Sequence, residues 1–252
     1  MSADITVSAS VVTYNDIDRA PVTCKSVIEH TKKYPLKLYV IDNASADGTA
    51  EFIENNTDAV VIKNKSNIGF GAAHNVVLDR LLGKYHFVIN PDITVDSDVI
   101  SDMVDFFEKN PDVVMAMPKI LNCDGSEQKL PKNRPTFKRL FFGRLSDKIR
   151  DEYVWADKAV TEPCDIDFCS GCFFGIRSDV FLKSGGFDKR FFMYLEDADM
   201  TIRAKKFGRV VFVPQVSVTH AWKRESTKSL KYLIIHIISC FKFLYKWRGK
   251  DK

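Results

Sequence analysis

Three apolar runs in this chain end in residues that could do chemistry. His86 to Ile89 is followed by Asn90, Pro91 and Asp92, and the hard oxygen of Asp92 suits Mg2+ or Mn2+. Leu38 to Ile41 ends in Asp42, Asn43, Ala44 and Ser45, an acceptor and an amide suited to the base or ribose of a nucleoside. Ala9 to Tyr14 closes on Thr13, Tyr14 and Asn15. Asp and Asn after a strand are ordinary turn formers. Three such clusters on one edge of a sheet shift the balance toward a ligand, because parallel sheets bind ligands at the carboxyl ends of their strands.

A second group lies later in the chain. Glu196 and Asp197 follow an aromatic FFMY segment, where partial burial would raise a carboxyl pKa and suit a general base. Asp199 reads more simply, as a first-turn acid paired with Arg203 four residues on. His220, after the apolar VSVT run, is a candidate metal ligand, although a lone histidine is more often a core or surface residue. Cys169 and Cys172 form a C-x-x-C, with Cys164 and Cys123 as further thiols. Zinc would need a second correctly spaced pair and redox chemistry a helix start, whereas DFCSGCFFGI reads as a strand.

The elements that must position these residues can be read from periodicity. Short runs at Ala9 to Tyr14, Leu38 to Ile41, Ala59 to Ile62, His86 to Ile89 and Val113 to Met117 predict buried strands. Asp18 to His30, Gly48 to Glu54, Ala72 to Leu82 and Ser97 to Lys109 predict helices between them. This βα alternation implies a mostly parallel sheet covered on both faces. It lapses over Asn122 to Val160, which reads as a long excursion across one face. A short helix from Ser178, a strand over Arg209 to Val213 and a helix from about Ser226 to Trp247 complete the prediction. The loop NKSNIGFGAAHN, residues 64 to 75, places Gly69 and Gly71 before a helix. His74 occupies the third glycine position of a dinucleotide fingerprint and the loop comes after the third strand, so a Rossmann dehydrogenase is disfavoured. Close backbone approach to a nucleotide diphosphate, with hydrogen bonds from Asn67 and Asn75, is the reading adopted.

With 252 residues, 45% hydrophobic, the chain can bury a single substantial core. The net charge of +4 is uneven: residues 223 to 252 hold nine Lys or Arg against Glu225 and Asp251, which is +7, leaving −3 for residues 1 to 222. An acidic body with a basic tail argues against nucleic acid and for a local anionic partner, such as membrane phospholipid, at the C-terminal end. The start MSADITVSASVV has no secretory pattern, so a cytoplasmic protein, peripheral on the inner face of the cell membrane, is expected. Within LKYLIIHIISCFKFLYKW, residues 230 to 247, the apolar run is too short to span a bilayer. Lys231, Lys242, Lys246 and Arg248 flank it, as in a helix lying at an anionic interface; a helix packed on the body is the alternative.

These pieces resemble family 2 glycosyltransferases with the GT-A fold, and within them the bacterial rhamnosyltransferase-like branch. The matching segments are VVTYN at 11 to 15, VIDNAS at 40 to 45, NIGFGAAHN at 67 to 75, NPD at 90 to 92, GCFFGIR at 171 to 177, GGFDKRFFMYLEDADMTIRAKKFG at 185 to 208, and His220. The resemblance implies a GT-A domain over 1–222, with a nucleotide-binding half of about 1–120 and an acceptor half of about 121–222. A basic amphipathic helix over 223–252 would complete the chain. Thr13, Tyr14, Asn15, Asp42, Asn43 and Ser45 would bind the nucleoside. The loop from Asn67 through Gly69, Phe70 and Gly71 to Asn75 would wrap the donor, beside Asn90 and Pro91. Asp92 matches the last acid of the family's D-x-D motif, whose first acid is here Asn90, so His220 or the diphosphate would complete the shell of Mg2+ or Mn2+. Glu196 and Asp197 match the family's E-D pair, Asp197 serving as base in an inverting transfer. The implied donor is dTDP-β-L-rhamnose and the implied acceptor a glycan or polyprenyl-diphosphate-linked glycan of a cell-surface polysaccharide. A UDP-hexose donor, or a non-catalytic carbohydrate-binding protein on the same fold, stays open. A nucleotidyltransferase would need a basic glycine-rich loop where residues 13 to 20 read TYNDIDRA.

Overall fold

A computed structural model describes residues 6–81, 83–130, 132–143, 145–156, 158–221 and 229–249. The early β-branched runs form parallel strands as predicted: β1 (Val7–Thr13), β2 (Leu36–Asp42), β3 (Val60–Lys63) and β4 (Tyr85–Ile89), in the order β3-β2-β1-β4. Every residue of β1 and β4 is buried, which is the condition of a strand covered on both faces. The crossovers contain α1 (Ala20–His30), α2 (Thr49–Asn56) and α3 (Phe70–His74). The single helix expected over Ala72 to Leu82 is instead α3 followed by a 3-10 turn, Asn75–Arg80, with Leu82 outside the described residues. The change begins at Asn75, whose side chain is engaged by the backbone of Phe187.

Beyond β4 the sheet becomes mixed. Strand β5 (Ile93–Thr94) and helix α4 (Val99–Lys109) lead to β6 (Val113–Leu121), which does not pair with β4. Strand β8 (Phe173–Arg177) inserts between them, antiparallel to both. The C-x-x-C lies in the turn before β8 and not in a strand, because Cys172 ends that turn and pairing starts at Phe173. Strand β9 (Arg209–His220) runs parallel to β6 and extends seven residues past the predicted end at Val213. Pro214 masks that continuation; the register with β6 shifts there, as a bulge permits. The short β7 (Cys164–Asp165) pairs with β9. One hydrophobic core runs from Val7 to Val218 through both halves of the sheet.

Within this core a polar chain is fully enclosed. Ser8 Oγ lies 2.8 Å from His86 Nδ1, His86 Nε2 lies 2.8 Å from Ser10 Oγ, and Ser10 Oγ lies 2.7 Å from His74 Nδ1. It ties β1, β4 and α3 together, and the satisfied Ser8, Ser10 and His86 specify register, while His74 Nε2 is buried without a hydrogen-bond partner among the described residues.

The Asn122 to Val160 excursion contains a π-helical turn, Lys138–Phe142, and α5 (Asp147–Tyr153). A short α6 (Ser178–Lys183) comes after β8, and the acidic pair opens α7 (Glu196–Ala204). The final helix, α8 (Leu230–Trp247), packs on α7: Cys240, Phe243 and Trp247 join Phe168, Phe191, Leu195 and Ala198 in a second cluster. The predicted start at Ser226 and the charges from Lys223 to Lys228 lie outside the described residues. Trp247 Nε1 donates to Asp199 Oδ1 at 2.9 Å, Lys246 pairs with the same carboxylate, and Arg203 Nε holds its other oxygen at 2.8 Å, the predicted i,i+4 pair.

Burial pushes the His86 imidazole down to about 3, below its ordinary 6.5. Between those values the unfolded chain binds a proton that the folded chain refuses, so stability declines as pH falls below about 6.5. Thermal unfolding of His86→Gln is expected to start lower at neutral pH and to lose less on acidification from pH 7 to pH 5 than the parent chain.

Candidate active site

The sheet edge gathers the residues expected there. Asn15 and Ala44 both adopt left-handed backbone, at φ 51° and 65°, which turns the ends of β1 and β2 toward each other. Asn15 N donates to Ser45 Oγ at 2.8 Å, Ala46 N to Asn15 Oδ1 at 2.8 Å, and Ser45 N to Asp42 Oδ2 at 3.0 Å. Asn43 is held by Asn64, whose amide donates to its Oδ1 at 2.9 Å. Thr13 Oγ1 and Asp42 Oδ1 are buried and have no hydrogen-bond partner among the described residues. Such atoms cost free energy unless a ligand satisfies them. Tyr14 stands half exposed beside them.

Asp92 sits at the other end of the cleft. The pairing of Ile93 with His220 brings the imidazole at the end of β9 against this carboxylate. Gln128 fixes the ring: its Nε2 donates to the His220 carbonyl at 2.9 Å, so its Oε1, 3.0 Å from His220 Nδ1, must accept a proton from that nitrogen. His220 Nε2 lies 3.2 Å from Asp92 Oδ1, and imidazole plus carboxylate is a suitable donor set for a divalent ion. Asp92 Oδ2 is 3.3 Å from Arg19 Nη1, and Arg19 Nε donates to Asp16 at 2.7 Å. Among the described residues no group of three His, Cys, Asp or Glu is placed to hold a metal.

The acidic pair closes the cleft. Tyr194 and Leu195, at φ 73° and 65°, are consecutive non-glycine residues in left-handed backbone, and they aim the start of α7. Helix α8 clamps them: Ser239 Oγ donates to Met193 O at 2.7 Å, and the His236 ring meets the Tyr194 ring edge-on at 5.2 Å. Gly171 N donates to Asp197 Oδ2 at 2.9 Å, while Asn90 N donates to Cys172 O at 2.8 Å. The turn before β8 therefore links the metal side of the cleft to the acid side.

Burial raises both carboxyls of the pair. For Glu196 the neighbouring Asp197 charge adds to the rise, whereas for Asp197 the Gly171 N–H and the Lys132 ammonium oppose it. The opposing N–H and ammonium favour the charged form at Asp197 more than at Glu196. Asp197 faces a cavity of about 670 Å³ bounded by Lys132, Arg139, Tyr153, Phe168, Leu233 and His236, among others.

Known proteins resemble this chain in sequence and fold. The profile described as Glycosyl transferase family 2 matches residues 8–185. The chain belongs to glycosyltransferase family 2. It is 26% identical to the N-acetylglucosaminyl-diphospho-decaprenol L-rhamnosyltransferase of Mycobacterium tuberculosis, covering 83% of this chain and 75% of that one. It is likewise 26% identical to rhamnosyltransferase WbbL of Escherichia coli K12, covering 71% of each. Among solved structures, GalNAc-T7 with UDP, GalNAc and Mn2+ superimposes with TM-score 0.70 at 18% identity over 99% of this chain, which spans 49% of that one. The mannosyltransferase PcManGT from Pyrobaculum calidifontis, with GDP-Man and Mn2+, gives 0.65 at 17% identity, covering 97% of this chain and 65% of its own. The fold is therefore GT-A, and this family 2 glycosyltransferase is an enzyme.

The structure adds packing contacts to the 64 to 75 loop. A Cβ on Gly69 would lie 2.3 Å from Phe192 O, and one on Gly71 would lie 2.7 Å from Phe187 Cβ. These glycines permit close packing on the segment leading to α7. Asn75 gives both ends of its amide to Phe187, at 2.7 and 2.8 Å, so its hydrogen bonds hold that same segment. Asn67 Oδ1 accepts from Gly69 N at 3.0 Å and shapes the loop. Phe70 reaches the floor of the site, its ring within contact distance of a Cβ built on Gly171. Cys169 and Cys172 are buried free thiols, Cys172 pushed up to about 12 by burial, so they serve as floor and not as zinc or redox ligands. Sequence reading missed Gln128, Lys132 and Gly171 as site residues. Gly171 lies within one of the motifs read from the sequence, and the other two sit in the aperiodic excursion.

Because the Lys132 charge holds Asp197 down, Lys132→Met is expected to move the acidic limb of the kcat/KM pH profile upward. The base is competent only when ionised, so activity in that variant falls off at a higher pH than in the parent enzyme. An unmoved limb would place the acidic titration elsewhere.

Proposed function

We propose that this enzyme transfers L-rhamnose from dTDP-β-L-rhamnose to a hydroxyl of a polyprenyl-diphosphate-linked glycan, in cell-surface polysaccharide synthesis. The observation that carries the proposal is Asp197, held by the Gly171 N–H at the start of α7 and lining a chamber of about 670 Å³. Both curated relatives named above are rhamnosyltransferases, and the mycobacterial one has a diphospho-decaprenol acceptor in its name. Thr13 and Asp42, with Tyr14, Asn15, Asn43 and Ser45 around them, bind the nucleoside; Asn90 and Pro91 adjoin it.

Asp197 removes the proton from the acceptor hydroxyl, and that oxygen attacks the anomeric carbon from the face opposite the leaving group. The bond from the anomeric carbon to the diphosphate oxygen breaks with its electron pair on oxygen, so a β-donor yields an α-rhamnoside and no covalent enzyme intermediate forms. Glu196 is buried beside Asp197, and burial and the Asp197 charge raise its carboxyl. Asp92 and His220 would hold Mg2+ or Mn2+, which supplies positive charge to a departing diphosphate. Two of the structural neighbours were solved with Mn2+, which supports a divalent ion here. Lipid presentation of the acceptor would bring the enzyme to the cytoplasmic face of the membrane, with α8 as the contact. Among the described residues no helix is long and apolar enough to cross a bilayer.

A UDP-sugar donor is the second reading, supported by TarS of S. aureus in complex with UDP-GlcNAc, which superimposes at TM-score 0.65 and 16% identity, covering 95% of this chain and 67% of that one. A thermal-shift series of dTDP, UDP, GDP and NADH, each with and without Mn2+, separates the two. The expected result is metal-enhanced stabilisation by dTDP, since a selective ligand stabilises the folded state by mass action. Preference for UDP would select the second donor, and stabilisation by NADH alone would refute a sugar-nucleotide site. Asp197→Asn is expected to cut kcat by about 10² to 10⁴ while leaving the dTDP shift intact, as for loss of a general base. Unchanged turnover would remove Asp197 from that role.

A further inference from the structure

Helix α8 has two apolar faces. One, through Cys240, Phe243 and Trp247, is buried on α7. The other carries Leu230, Ile234, Ile237, Ile238, Phe241 and Tyr245, all exposed, and at about 100° per residue they fall on one stripe of the helix. This stripe continues onto a second element. The Phe141 ring lies 5.5 Å from that of Phe241, Phe137 stacks on Phe141 at 4.8 Å, and Phe137 meets Phe142 at 6.1 Å. Phe137 and Phe142 are about half exposed, and Leu145 at the tip of this arm is 82% exposed. An apolar surface this continuous marks an interaction site.

Its charge says what it meets. Residues 132 to 146 contain five Lys or Arg and no acid, and residues 229 to 249 contain four and no acid, in a chain whose body is otherwise net negative. Lys138, Lys231, Lys242 and Arg248 are exposed around the apolar surface. Apolar side chains ringed by cations match a bilayer bearing anionic headgroups, where the long cationic stems let the charges reach the phosphates. The chamber in front of Asp197 lies between the two arms, lined by Leu140 and Gly143 from one and by Leu233 and His236 from the other.

We infer that the Phe137 to Leu145 arm and the outer face of α8 form a single surface that seats the enzyme on an anionic phospholipid bilayer, with the acceptor chamber opening between them onto the membrane. A lipid-diphosphate acceptor then enters the chamber from the bilayer without leaving it. This deepens the proposed lipid-linked acceptor and rests on that reading for the chamber, although the surface itself is defined without it.

Flotation of the full chain with vesicles of phosphatidylcholine containing about 30% phosphatidylglycerol tests the inference, with pure phosphatidylcholine alongside. Phe142→Ser/Leu145→Ser alters the first arm, Ile234→Ser/Ile238→Ser the second, and Phe52→Ser, an exposed aromatic on α2, is the control. The parent chain and the control are expected to float with the anionic vesicles and not the neutral ones. Each arm variant is expected to lose about tenfold in partition while keeping its nucleotide thermal shift. Flotation of the first-arm variant equal to the parent would overturn the two-armed surface. So would a parent chain that ignores anionic vesicles but sediments as a dimer dispersed by the same substitutions, since the face would then join two copies. No nucleotide or acceptor enters this assay, so its failure is separate from a failed donor site, which the thermal shift reads.

Discussion

The insertion of β8 between β4 and β6 is the constraint on which the site depends. A strand that runs antiparallel to both neighbours must bring its leading turn to the carboxyl end of β4, where Asn90 to Asp92 emerge. That turn carries Gly171 and Cys172, whose backbone bonds to Asp197 and Asn90 fix the two chemical ends of the cleft to each other. The register shift of β9 at Pro118 and Lys119 lets the same sheet deliver His220 to Asp92. Four segments far apart in sequence thus become one site through sheet pairing, and the loops between them do not have to hold it.

The start of α7 is stabilised from behind. Two left-handed residues of the wrong type cost about 1–2 kcal/mol each, so surrounding contacts must over-determine them. Glycine packing at Gly69 and Gly71, the Asn75 clamp on Phe187, and the Asp199 cluster with Arg203, Lys246 and Trp247 all bear on this one segment. The glycine loop and the C-terminal helix therefore share a purpose: they hold Asp197 in place. Leaving Asp199 without its partners would strand a buried charge two residues from the base, which explains why this acid is so heavily bonded.

Electrostatics divides the work between neighbours of the same type. Burial raises both Glu196 and Asp197, but an N–H and an ammonium oppose the rise at Asp197 while the neighbouring Asp197 charge adds to it at Glu196. Two cysteines that spacing alone presents as ligands are silenced by burial. The His86 and His74 imidazoles are equally enclosed, and their role is register, not chemistry.

The sequence by itself determined the first four strands, their parallel direction and the polar residues at their ends, because burial on two faces imposes apolar runs and the end of a strand leaves the next residues open to solvent. It also marked Glu196, Asp197 and His220 as residues of interest. Only the tertiary structure decided that β8 divides β4 from β6, since strand order depends on long-range pairing that leaves no local period. The partners of Asn75, Gln128 and Lys132 were hidden for the same reason: a side chain's role is set by the groups that the fold places within about 3 Å of it, a hydrogen-bond distance. The Asn122 to Val160 excursion was least legible. Its aromatic and basic residues keep no helical or strand spacing, and they acquire meaning only against α8, nearly a hundred residues away.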